Sequence, residues 1–580
     1  PKGDPSALTV VAEIALERGD CKMASESYAK AAEIGDAKLA RHATEVSLAC
    51  EHLPAAWESA TRWRALAPAS LEANAMYAAV ALKLYHLPQA RAAINDFFHA
   101  PPLPAHQQAQ AAVGQSAGQA VDQSDRASAR DDAADQAQEA PGNSGGAAPK
   151  RGREQLAMSL TALTALLLEQ SDAPTVLAAM SSTLESAPVP EALSLLCELS
   201  LSAYDAQRAE RYALQALQHD PKDFGAKRVL ARAYVIRGDA AKAIATAREA
   251  MREDPAHSAF DLAEVLIALD RVEDAHQELE RLRSVEPVAQ IDRRLALLAF
   301  YAGDMKEAQQ RFSELASSGE ANESALLYLA DIAARDGDTD AAIAGYRRLY
   351  DSSVALPARS RAAALLLARS DRKEALTLLD DYASEHPESE LDLTLAKAHL
   401  LADHGEADAG LEVLSAALER HPRHPSIEYD RAVILEQAGR VHDSVAALEH
   451  LLLERTDDPT LLNALGYTLA DHNLELSHAE VLIRRALVVM PDNPAALDSL
   501  GWVRFRQGDS KTAVVTLEHA YYISHDSEIA AHWGEALWVS GEHTQARKVW
   551  AAALARAPDS QQLKATLARF LPDANRSLSE

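Results

Sequence analysis

Residues able to do chemistry in this chain fall into three short stretches and one scattered surface. GNSGG at 142–146 fits the spacing of a nucleophile elbow. That device needs a strand before the serine and a helix after it, and the surrounding Ala, Gln, Ser and Gly residues offer neither. DGDTD at 336–340 spaces carboxylates as a calcium loop does, but lacks the glycine at the sixth loop position and the distal glutamate. It reads as a turn between helices. HPRHP places His421 and His424 three residues apart, yet prolines interrupt any helix that would aim both at one metal. Both are expected to be solvent-exposed linker histidines. P-loop, HExxH and GxGxxG spacings do not occur, so no catalytic residue, metal site or cofactor is expected and an enzyme is not.

Composition narrows the partners. The formal net charge of −29 is wrong for a general nucleic-acid binder, which needs a basic face to displace counterions. It also disfavours broad adhesion to anionic lipid. Cys21, Cys50 and Cys197 show no CxxC spacing and suggest neither a zinc site nor a disulfide framework. Each lies in a helical pattern and is expected to pack, which leaves the redox compartment open. No apolar run approaches the length of a membrane span. The chain begins at Pro1 rather than Met, and is expected to have been trimmed or processed, with any export signal lost.

The elements that must position everything else are helices in a repeat. Small residues, a turn glycine and a terminating proline recur about every 34 residues. Pro221 and Pro255 are 34 apart, as are Gly405 and Gly439. The small residue of a first helix lets a second approach, the glycine ends the first helix in the left-handed region, and the proline stops the second. In two middle units Asp270 and Ser370 stand where the glycine would be. The Gly466 unit is one residue longer between its helices, so a distorted turn is expected there. The pattern covers 1–100, lapses over 101–153, resumes over 154–571 and leaves a tail at 572–580. The lapse is rich in Ala, Gln, Ser and Asp and has almost no large apolar residues. Such a stretch cannot offset the entropy of ordering, and a disordered insertion is expected.

The markers resemble those of the tetratricopeptide repeat family, most closely in DSLGWVRFRQGD at 498–509 and AHWGEALWVSGE at 531–542. The resemblance implies an all-α, right-handed superhelical solenoid of helix-turn-helix units that works through its concave groove. Carrying the family's groove-facing positions onto the last four units gives Tyr429, Glu436, Asn463, Tyr467, Asp498, Trp502, Phe505, Arg506 and Trp538. Large aromatics beside a few polar groups suit peptide capture. Trp550 is expected to pack between helices instead. Family members that dock chaperones clamp a carboxylate with Lys and Asn. Here those positions hold Asn463 with Tyr467, or Asp498 with Trp502, which argues against such a clamp.

The run 461–550, with LNALGYTLAD, ALDSLGWVRFRQGD and AAHWGEALWVSGEHTQARKVW, also resembles large proteobacterial tetratricopeptide lipoproteins. These are held on the outer membrane from the periplasmic side. Members of that group act as adaptors that activate a carboxyl-terminal processing protease and present peptidoglycan hydrolases to it. The resemblance implies a non-catalytic adaptor with protein partners. It implies a periplasmic location, with a membrane tie only through a lipid anchor absent from this chain. A scaffold for another envelope or secretion assembly, an accessory module of an enzyme such as a glycosyltransferase, and a cytoplasmic location are the alternatives.

Overall fold

The computed structural model describes residues 5–99, 147–254, 258, 260–285, 289–318, 322–386, 389–558 and 560–571. Thirty-one helices and no strands occur among them. Pro255, Pro287 and Pro387, GNSGG, most of the expected insertion and the tail at 572–580 lie outside the described residues. The helix Ala147–Gln170 begins inside the stretch read as insertion, so its last part is helical.

Most helices are 13 or 14 residues long and alternate in antiparallel pairs. Each turn within a pair is coded by two adjacent residues. The first enters the left-handed region: Gly238, Gly337 and Gly508 have φ of 75°, 82° and 90°. Asp270 and Ser370 adopt φ of 57° and 67° in its place. The second is an aspartate whose side chain accepts a backbone N–H at the start of the next helix, as Asp239, Asp338 and Asp509 do. The DGDTD motif is therefore a helix stop followed by a helix cap. In the longer turn after Gly466, Asn473 and Glu475 are both left-handed, at φ of 57° and 37°.

The core is a chain of separate clusters rather than one centre, as expected where each unit packs on its neighbours. One cluster crosses the gap in the described residues. Tyr77 and Leu82 of the helix Leu71–Lys83 share it with Leu160 and Leu167 of Ala147–Gln170. Arg91 also donates to the carbonyl of Ala178 at 3.1 Å. The repeats therefore pack continuously across the gap. Replacing residues 101–146 with a Gly-Ser linker is expected to leave the melting temperature within about 2 °C of the parent's. A drop of many degrees in calorimetry would show that the stretch supports the fold.

The superhelix also closes on itself. The Asp492 N–H donates to the carbonyl of Tyr204 at 2.8 Å, and the Asp492 carboxylate accepts the N–H of Ala206 at 2.9 Å. His519 donates to the carbonyl of Ile236 at 2.9 Å, and Arg556 pairs with Asp270. These partners lie 283 to 288 residues apart, about eight repeats. One superhelical turn rests on the next.

The same seam corrects two expectations about single residues. His421 and His424 are buried, not exposed. His421 Nδ1 lies 3.2 Å from the carbonyl of Cys50, and its Nε2 lies 3.0 Å from Glu390. His424 Nε2 lies 3.4 Å from Glu51. The cysteines divide. Cys21 and Cys50 form a disulfide across 29 residues with Cα atoms 5.4 Å apart, while Cys197 is free and buried, its thiol pushed up to about 12 by desolvation. Lys22, beside Cys21, donates to the carbonyl of Glu419 at 3.3 Å, so both ends of the disulfide sit at the seam.

Two carboxylates make this seam sensitive to acid. Burial alone would raise Glu51, but hydrogen bonds from His424 and Lys83 hold it at about 2. The His421 hydrogen bond, opposed by burial and aided by Arg420, holds Glu390 at about 2. A depressed carboxyl gives stability that is present above its ordinary value of about 4.3 and lost as pH falls toward the depressed one. The seam is therefore expected to open between about pH 4 and pH 2, while the helices persist. Small-angle scattering should show an increase in radius over that window with little change in far-ultraviolet circular dichroism. A constant radius would contradict the pairing.

Candidate functional site

Four first helices of successive C-terminal units form one wall: Pro425–Gln437, Pro459–Asp471, Pro494–Arg506 and Ser527–Val539. Each starts sharply. Proline occupies the first turn of three of them, and Asp458, Asn493 and Asp526 cap the last three. Equal starts keep the units in register, so equivalent residues form columns. Tyr429, Asn463, Asp498 and Ala531 make one column, and Val433, Tyr467, Trp502 and Glu535 make another.

These columns bound a cavity of about 750 Å³. Five of the residues expected at the groove line it: Tyr429, Glu436, Asn463, Tyr467 and Asp498. The other four are placed differently. Trp502 is only 4% exposed; its indole stacks on His532 with centroids 4.1 Å apart and on Phe505 at 5.2 Å. Its Nε1 donates to Asp471 at 3.0 Å. Arg506 lies over the Trp502 ring, 5.6 Å from its centroid. Trp538 stands apart, against Trp550 at 5.7 Å and Phe570 at 6.1 Å. Trp550 is fully buried, as expected.

The sequence reading missed four residues of this wall: Asp471, His472, Glu528 and His532. His532 stands one position past Ala531, which continues the Tyr429 column, so extending the same register by one unit would not have found it. Its Nδ1 donates to both carboxylate oxygens of Asp498 at 3.0 Å. Asp471 holds in its own unit the place that Arg506 holds in the next, so the register could have found it; His472 caps that helix and Glu528 begins another. Tyr467 donates to Glu528 at 2.7 Å, bridging across the intervening unit. Glu436 accepts from Thr468 at 3.1 Å and lies 3.0 Å from His472 Nε2.

The electrostatics are one-sided. Glu436, Asp471, Asp498, Asp526 and Glu528 line the cavity, and no lysine or arginine does so among the described residues. Desolvation dominates the upward shifts of Glu436 and Glu528, over the hydrogen bonds they accept. It also pushes Tyr429 up to about 12. His532 is raised too, because the neighbouring Asp498 outweighs the burial that would lower it. Ligand atoms of Glu436, Asp471 and His472 lie within 4.8 Å of one another, the one such grouping among the described residues. The wall offers acceptors and aromatic faces.

The family models identify the repeat. Tetratricopeptide repeat models match residues 201–258, 293–357 and 395–460, and a second such model matches 234–298. The matched units are tetratricopeptide repeats. The chain is 32% identical over 207 residues to a TPR repeat-containing protein of Pseudomonas aeruginosa, covering 36% of this chain and 35% of that protein. It spans about a third of the length of that curated relative. Among solved structures it is similar to a thermophilic TPR protein of Thermus thermophilus, at 22% identity and a TM-score of 0.28, covering 30% of this chain and 96% of the other. It is also similar to the APC/C hetero-tetramer Cut9-Hcn1, at 14% identity and a TM-score of 0.28, covering 98% and 96%. Repeats of this type form protein-interaction scaffolds.

Proposed function

We propose that this chain is a non-catalytic adaptor of the bacterial periplasm that captures protein partners along its concave face. The preferred partners are a carboxyl-terminal processing protease, which it activates, and the peptidoglycan hydrolases it presents for degradation. The observation that carries the capture reading is the continuous wall from Tyr429 to Glu528, where the register brings aromatic faces and acceptors around one cavity. The Cys21–Cys50 disulfide supports an oxidising compartment, because such bonds persist outside the cytosol and are rare within it. Residues 461–550 supply the resemblance from which the protease partner comes.

The test is reconstitution. A purified carboxyl-terminal processing protease is assayed on a peptidoglycan hydrolase with and without this chain. The expected result is a complex by size exclusion and faster cleavage when the chain is added. Unchanged cleavage and separate elution would overturn the protease reading. A stable complex with a different envelope protein would instead favour a scaffold for another assembly.

A further inference from the structure

The acidic cavity asks for an occupant of definite chemistry. Two kinds of atom there lack a partner. Asn463 Oδ1 is buried without a hydrogen bond. Ser444 is wholly buried, its Oγ also has no partner, and it too lines the cavity. Buried acceptors left unpaired are unfavourable and are normally satisfied. The five lining carboxylates face the same space, and the imidazoles of His472 and His532 are the basic groups that meet Glu436 and Asp498. What the cavity lacks is therefore a cationic donor.

A bare ion does not fit this description. Glu436, Asp471 and His472 sit together at one part of the cavity, and His472 already meets Glu436 at 3.0 Å. A space of about 750 Å³ holds several side chains. Its aromatic members, Tyr429 and Tyr467, suit the apolar stem and the cation of a long basic side chain.

We propose that the cavity between residues 429 and 528 binds a lysine- or arginine-bearing segment of a protein partner, the basic head group seated between Glu436 and Glu528. This deepens the adaptor reading and rests on it. The segment's N–H groups donate to the carboxylates and to Asn463 Oδ1, and its stem lies along the tyrosine rings. The rest of the array holds the body of the partner.

The experiment uses the full chain and a fluorescein-labelled Gly-Ser peptide carrying two lysines, read by anisotropy, with the same peptide carrying glutamines as reference. The lysine peptide is expected to bind, and the glutamine peptide to bind at least tenfold more weakly. The isosteric pair Glu436→Gln and Glu528→Gln is expected to reduce lysine-peptide affinity at least tenfold. Gln437→Lys, at an exposed lining position, places an ammonium in the cavity and is expected to do the same without disturbing the core. The exposed pair Glu412→Gln and Glu449→Gln removes the same charge elsewhere and is expected to change nothing. Equal losses in both pairs would reduce the effect to the overall charge and overturn the proposal. So would binding abolished by a chelator and restored by zinc, which would make the cavity a metal site, or tighter binding of spermidine than of the peptide. The reconstituted protease complex separates the two readings. A complex that survives Glu436→Gln with Glu528→Gln leaves the adaptor intact and removes this cavity from it, whereas no complex with the parent chain removes the adaptor itself.

Discussion

Gly534→Leu is expected to destabilise the last units by about 3 kcal/mol, the upper part of the usual range for overpacking. Gly534 lies mid-helix in Ser527–Val539, with ordinary helical geometry, so conformation is not what requires glycine there. Space is. A Cβ at this position would lie on the indole of Trp550, which is fully buried and cannot step aside. Gly501 meets the same limit, since its Cβ would come within 2.5 Å of Leu517 Cγ. Gly541 is the informative contrast. A Cβ there meets nothing within 4 Å, but its φ is 90°. Gly541→Ala is therefore expected to cost only about 1 kcal/mol of stability, as backbone strain. Denaturant melts followed by tryptophan fluorescence would measure both. Equal losses for the two variants would mean that the helices are paired in the wrong register.

The second large effect is at the other end. Removing the Cys21–Cys50 disulfide, by reduction or by Cys50→Ser, is expected to destabilise the first units by about 3–4 kcal/mol, the loop-closure value for this separation. The loss should not stay local. Lys22 reaches Glu419 and the Cys50 carbonyl accepts from His421, so the freed helices also release the seam. Hydrogen exchange should quicken in residues 5–66 and in 419–424, while residues 494–556 stay protected. Identical exchange before and after reduction would sink this account.

Both predictions show what the sequence could and could not reveal. A period of 34 and the small residues within it expose the helix pairing, because each unit packs on its immediate neighbours. Gly501, Gly534 and Trp550 were legible for that reason. The groove register was legible too, as far as Tyr429, Asn463, Tyr467 and Asp498. Trp502 was harder. Its face was readable, but its burial depends on His532 one unit further along. Trp538 has no complete helix pair after its own, so it packs on Trp550 and Phe570 of the last two helices instead of repeating its column. The seam left no local trace. Cys50 and His421 meet across 371 residues, and neither the cysteine spacing nor the prolines around His421 announce it. Contacts of that kind follow from the pitch of the whole superhelix, a sum of small rotations that no single unit displays.

Touching coils have one more consequence. A helical ribbon with separated turns can be entered from the side anywhere along its length. Once Asp492 rests on Tyr204 and His424 on Glu51, the ribbon becomes a sleeve with two mouths. A chain end can thread a sleeve, but a loop bounded by folded domains can enter only when the wall parts. The hydrogen bonds and ion pairs along that wall would then govern how quickly such a guest arrives and how long it stays, apart from how tightly the lining holds it.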